Sequence, residues 1–295
     1  MTAGESPVVD SALLRAELVR LRHAEKLTQE KVGRALDWHP SKLIRIEGGK
    51  SSVATTDLRA LLSEYGVTDE DRRKELEALA NGARKSAWWN EYRNLEDDVY
   101  LQFIGYEAGA SVIRHAQNAI VPGPLQTEEY AEVILSAFDS EAIDRKATLR
   151  RLRQEEMDRR ESPPERFYVL DEALIWRHIG VRRDPEIMSR QLQHILDQAE
   201  HNDLITVRVV PFSAGAHAGL DGPFTLLEFE GELGDQLYLE GSSAPSQTQS
   251  TITGDDATVA EYKASFESIF EESLTDADSL ELIREASGRL GRRRH

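Results

Sequence analysis

The 295-residue chain contains no cysteine. That excludes a disulfide framework, a thiolate metal site and a cysteine nucleophile, and it suits a reducing cytoplasm. No apolar run approaches the roughly 18 residues that a membrane-spanning helix needs. The opening residues carry no charged-then-apolar leader, so neither secretion nor membrane insertion is expected. There is no GxGxxG opening a helix, no phosphate-binding P-loop, no GxSxG elbow and no HExxH helix. His178, His194, His201 and His217 show no ligand spacing, whereas a metal site needs three or four convergent donors. These absences lead to the expectation of a cytoplasmic binding protein with no enzymatic activity, no cofactor and no metal.

With 40% hydrophobic and 30% charged residues, the chain has the composition of an ordinary globular protein. Its length suits about two domains. The formal net charge of −17 is unevenly spread. Residues 11–50 hold nine Lys or Arg against five acids, a balance of +4, while residues 51–295 hold 27 basic against 46 acidic groups, or −19. A local concentration of positive charge is what attraction to phosphates requires. The acidic remainder would repel a polyanion, so binding is expected to need two copies acting together.

The basic part contains LTQEKVGRALDWHPSKLIRIEGG, residues 27–49. Thr28 is placed to cap a helix over about 29–36, with Val32 and Leu36 four apart on one face. Asp37 and Trp38 form a turn, where Asp tolerates left-handed geometry. A second helix begins near Pro40, a residue suited to N1. Leu43 and Ile46 point inward on it, which leaves Ser41, Lys42, Ile44 and Arg45 outward. Gly48 and Gly49 end it. Two short helices and a tight turn fit a helix-turn-helix, whose second helix lies in the DNA major groove. Ser41, Lys42 and Arg45 are the expected base-edge contacts, with Lys31, Arg34, His39 and Lys50 beside them.

Leu27, Thr28, Gln29, Val32, Gly33, Leu36, Leu43, Ile46, Glu47 and Gly49 fall in register with the signature of the Cro/lambda-repressor, or XRE, class. The segment resembles that class, which implies that Gln29 bonds a DNA phosphate. Asp37 replaces the usual turn glycine, and His39 stands where a Ser or Thr cap is common. Glu47 is expected to form an internal ion pair, with Arg34 one candidate partner.

Around this motif the pattern predicts a disordered leader (1–10), a DNA-binding domain (11–85), a helical connector (86–160), an α+β sensor or interaction domain (161–290) and a basic tail (291–295). An amphipathic helix over 11–26 places Leu14, Leu18 and Leu21 on one face. Further helices are expected at 56–65, 70–85, 128–138 and 141–160, the last with its Arg and Glu on a solvated face. The aromatics of 86–118, including Trp88 and Trp89, read either as glue between domains or as a partner surface. After Pro163-Pro164, strands are expected at 167–170, 204–210, 223–229 and 236–240, and helices at 188–201, 258–272 and 276–290. The fold class is therefore a mainly α N-terminal domain plus an α+β C-terminal domain with a small mixed sheet.

The run of Trp-Trp, VPGPLQTEEYA, LDEAL and VPFSAGAHAGLDGPFTLLEF resembles an actinomycete family of XRE-class regulators with a C-terminal domain of poorly defined role. The resemblance implies transcriptional control, with small companion proteins encoded beside several members. The single small reading head leads to the further expectation of a homodimer on double-stranded DNA, with a small companion protein or small-molecule effector as a further partner. An antitoxin-like protein that sequesters its companion is the alternative. In the SAGAHAGLDGP loop, His217 and Asp221 are four apart and either orient one another at a ligand or partner site, or lie exposed on a plain connection.

Overall fold

In the computed structural model, which describes residues 6–138, 142–241 and 250–291, the first helix serves two cores. Ser6 caps α1 (Pro7–Ala24) by accepting from the Val9 amide, and Pro7 sits where a missing N–H costs nothing. Ser6 Oγ donates in turn to the Gly105 carbonyl. Val9 and Ala12 pack with Phe103 and Tyr106 of the C-terminal half. Leu14 and Leu18, further along the same helix, enter the N-terminal core with Leu43, Leu58, Leu61 and Leu62. The expected leader is thereby corrected. Residues 7–10 are helix behind the Ser6 cap; their apolar partners lie about a hundred residues away, where local pattern cannot reveal them, and residues 1–5 fall outside the described residues.

The N-terminal unit is completed by α2 (Gln29–Ala35), α3 (Ser41–Glu47), α4 (Thr55–Glu64) and α5 (Glu70–Gly82). Its expected helices all form, with ends shifted by a few residues. A 3-10 turn at Trp88–Tyr92 leads to α6 (Asp98–Glu107). There follow β1 (Val112–Gln117), α7 (Glu128–Phe138), α8 (Ile143–Asp158), β2 (Glu165–Asp171) and α9 (Glu172–Trp176). The chain continues through α10 (Ile187–His201), β3 (Ile205–Val210), β4 (Phe224–Glu228) and β5 (Gln236–Leu239). β6 (Thr251–Thr253), α11 (Asp256–Glu272) and α12 (Asp276–Gly291) close the described chain.

The six strands form one mixed sheet in the order β3-β2-β1-β4-β5-β6. β1 runs parallel to β2, as does β3, while β4, β5 and β6 join antiparallel. One face is covered by α11 through Val259, Phe266 and Ile269. The other meets α10 and α12 at the β3 end and α6 at the β5 end. A helical unit followed by a mixed α+β unit is the expected fold class, with two further strands: β1, which was not expected, and β6, in the Ser/Thr-rich stretch 241–257 whose pattern leaves an irregular strand or a loop open.

One of those two, β1, corrects the helical connector drawn over 86–160. It lies inside the sheet, and it was hidden because His115 and Gln117 occupy buried positions where an apolar alternation would be sought. His115 is tolerated there because its Nδ1 meets Thr225 Oγ1 at 2.9 Å across the β1–β4 pair. The first residue of the expected basic tail, Gly291, is helical instead. Arg289 and Gly291 belong to α12, Arg289 pairing with Glu285, and residues 292–295 lie outside the described residues, as do 242–249.

Candidate nucleic-acid interface

Local chemistry sets the two helices at an angle. Thr28 Oγ1 accepts from the Lys31 amide and so starts α2. Asp37 adopts φ +52°, the left-handed conformation a tight turn needs, and the Trp38 amide donates to the Gly33 carbonyl at 2.8 Å. Pro40 stands one position before α3 rather than at its first residue, and offers no side-chain cap. His39 supplies one instead: its Nδ1 lies 3.3 Å from the Ser41 amide, which donates to it, and 2.9 Å from Ser41 Oγ. Gly49 ends the helix at φ +71°. A β-carbon there would also collide with the Arg15 guanidinium.

Glu47, the last residue of α3, is gripped from two sides. Arg22 Nε and Nη2 donate to its two carboxylate oxygens at 2.7 and 2.9 Å, and Gln29 Nε2 donates to Oε2 at 2.7 Å. Arg22 Nη1 donates to the Leu27 carbonyl as well. Both ionic side chains are nearly buried, at 9% and 4% exposure, so the pair works in a medium of low dielectric. The partner of Glu47 is thus Arg22, on α1, and not Arg34, which pairs with Glu30 on its own helix. Gln29 spends its amide donor on this clamp at the amino end of α2.

The opposite side of α3 faces solvent. Leu43 and Ile46 are buried and Arg45 is exposed, with Ile44 at 53% exposure. Arg45 has no ion-pair partner among the described residues. Its guanidinium presents the donor fork that fits guanine O6 and N7, and an exposed Ile offers the apolar contact that fits a thymine methyl. Ser41 is half-buried, and Lys31, His39 and Lys50 are exposed nearby in sequence. Lys42 is less available than the sequence implies. Its ammonium lies 2.7 Å from Asp57 Oδ1 and 4.0 Å from the Trp38 ring centroid.

The C-terminal candidates separate. Trp88 and Trp89 meet edge to face at 5.5 Å and line a cavity of about 120 Å³ with Ile104, Ala108, Met157 and Arg160. Trp89 and Tyr92 are buried, as are Phe103 and Tyr106, so most of this aromatic run is interior glue. His217 and Asp221 do not orient one another. The His217 side chain is only 4% exposed and its Nε2 lies 3.1 Å from Asp171 Oδ2, whereas Asp221 is exposed. Among the described residues, no group of three or more His, Asp or Glu converges as a metal site would require.

Sequence reasoning missed a polar interior beneath this region. Glu107 on α6 and Arg153 on α8 form a buried two-bond ion pair, with Arg153 Nη1 also 3.2 Å from Tyr100 Oη. The Arg-rich helix was expected to turn its charge to solvent. Arg151 and Arg159 do so, each pairing with Glu155. Arg153, four residues from both Leu149 and Met157, shares their buried stripe, and that spacing was the available signal.

Helix-turn-helix geometry with a bare second helix defines a DNA-binding regulator. Comparison with known families agrees: residues 13–76 match a helix-turn-helix domain model. Residues 100–285 match the model described as a domain of unknown function, DUF5753, and since that match spans most of the chain, the protein belongs to this family. No curated protein and no solved structure matches the chain. No helix among the described residues is long and apolar enough to cross a membrane.

Proposed function

We propose that the chain is a sequence-specific transcriptional regulator of the Cro/lambda-repressor class that binds a palindromic operator as a dimer in the cytoplasm, associated with the nucleoid. The observation that carries this reading is the exposed face of α3, with Ile44 and Arg45 outward while Leu43 and Ile46 anchor the helix from behind. Ser41, Ile44 and Arg45 read base edges. Lys31, Arg34, His39 and Lys50 meet phosphates, and Gln29 joins them with the second hydrogen of its side-chain amide while the first holds Glu47. Lys42 acts near the backbone, steered by Asp57. Each domain offers one small reading head, so two half-sites about 34 Å apart, or a multiple of that, are expected. The role is binding and not catalysis. Footprinting on DNA upstream of the protein's own gene, with light scattering on the complex, tests it; a monomer on the protected site removes the dimer.

A second reading has its own support. Phe212 is 62% exposed and Leu220 55% exposed on the loop that ends at Asp221, and exposed apolar side chains of this size mark interaction surfaces when they gather. On that reading the C-terminal domain docks a small companion protein and DNA binding autoregulates the pair. A stoichiometric small protein co-purifying without DNA favours it.

A further inference from the structure

The cavity lined by Trp88 and Trp89 holds donors in one wall that no described residue satisfies. Arg160, just beyond α8, contributes to that wall, and its Nε and Nη1 are shielded from solvent with no hydrogen-bond partner among the described residues. Its neighbours are already committed. Glu107 is held by both ends of Arg153, and Arg166 Nη2 lies 2.8 Å from Asp158 Oδ1. Glu156, the other carboxylate on the wall, lies 2.8 Å from Arg159 Nη1, so Nε and Nη1 of Arg160 are left without a partner among the described residues. Burial and the nearby Arg166 push its guanidinium below its ordinary value, while Glu107 pushes the other way. Arg160 is half-buried, and its two shielded donors are unfavourable as they stand until a counter-charge accepts from them.

Trp88, Trp89, Ile104, Ala108 and Met157 form the apolar part of the wall, and Glu107, Arg153 and Glu156 complete it. The volume of about 120 Å³ is several times the roughly 10–15 Å³ that one water molecule needs. We propose that this cavity binds a small molecule with a flat apolar body and a single carboxylate, the carboxylate meeting Arg160 and the body lying among the two indoles. The site deepens the regulator reading and rests on it for its purpose, because its roof touches the helix shared by both domains. A β-carbon on Gly105 would run into Val8 of α1 and come within 3.3 Å of the Trp89 ring, so Trp89, α6 and the start of α1 pack with no slack. An occupied cavity stiffens α1, whose far half forms the core behind α3.

Calorimetry on the DNA-free full chain, with benzoate and its neutral analogue benzamide as probes, tests this. Expected are saturable one-to-one binding of benzoate, at least about tenfold weaker binding of benzamide, and a similar loss for benzoate on Arg160→Gln, since a hydrogen bond to a charged group is worth that much. Ala108→Leu fills the cavity and abolishes both. Circular dichroism checks folding, and should Arg160→Gln not fold, the benzoate–benzamide contrast and Ala108→Leu decide. Benzoate should also slow amide exchange at residues 7–13. The site is overturned by no saturable benzoate binding, by equal binding of benzamide, or by an unaltered Ala108→Leu. Inorganic phosphate binding as tightly as benzoate overturns the ligand class, and unchanged exchange at residues 7–13 overturns the link to α1. A null here leaves DNA binding untouched, whereas benzoate binding by a protein that binds no DNA leaves the site standing and removes the regulator reading.

Discussion

Arg22 and Glu47 stand 25 residues apart in the chain and are joined by two hydrogen bonds of 2.7 and 2.9 Å. The pair ties the end of α1 to the end of α3, and Gln29 brings the start of α2 to the same carboxylate. A helix of seven residues has too few internal hydrogen bonds to hold its own orientation. The clamp, with Leu43 and Ile46 buried behind it, fixes the angle at which α3 is offered.

Breaking one side of a nearly buried ion pair strands the other charge. Arg22→Ala or Glu47→Ala should each cost about 3–5 kcal/mol of N-terminal stability, read as a lower urea midpoint. The double substitution should cost much less than the sum of the two. Additive losses would mean that the pair contributes little.

Ile44 makes a base-specific statement. Replacing thymine by uracil within the footprinted half-site removes only a methyl group. Wild-type protein should lose affinity at one such position, and Ile44→Ala should be indifferent to the exchange. Equal discrimination by both proteins would take Ile44 out of the reading surface.

The shared first helix predicts coupled unfolding. Removing residues 1–10 deletes Ser6 and Val9 from the packing against α6. Scanning calorimetry should then show the C-terminal transition shifted to lower temperature, although the truncation lies in the N-terminal unit. A C-terminal transition left in place would mean that the first turn is dispensable.

Burial holds His115 well below the ordinary histidine value, with Arg153 and Arg166 acting in the same direction. The folded state therefore keeps it neutral, while the unfolded chain takes up a proton below about pH 6.5. Since the unfolded state binds more protons there, stability should fall as pH drops from about 6.5 toward the folded value. His115→Gln should flatten that part of the profile; an unchanged slope would assign the acid sensitivity elsewhere, with the partly buried His194 the next candidate.

What could be read in advance divides along the range of the interactions. The helix-turn-helix was legible because Thr28, Asp37, Leu43, Ile46 and Gly49 act within a few residues, through caps, turn conformation and spacing. The strands with apolar alternation, such as β3, were legible for the same reason. The misses are long-range or polar. Val9 finds its core through α6, Glu47 finds Arg22 rather than the nearer Arg34, and β1 hides behind His115 and Gln117. In the candidate site, the outward face of α3 was foreseen, but not that Lys42 and Gln29 already have intramolecular partners.

The account stands on α3 as the reading helix, and fluorescence anisotropy on the footprinted operator and on a scrambled duplex, at fixed salt, tests that most directly. Arg45→Ala should lose about 1–3 kcal/mol per half-site on the operator and relax one base position, with little change on the scrambled duplex. Equal losses on both duplexes, or none on either, would contradict it.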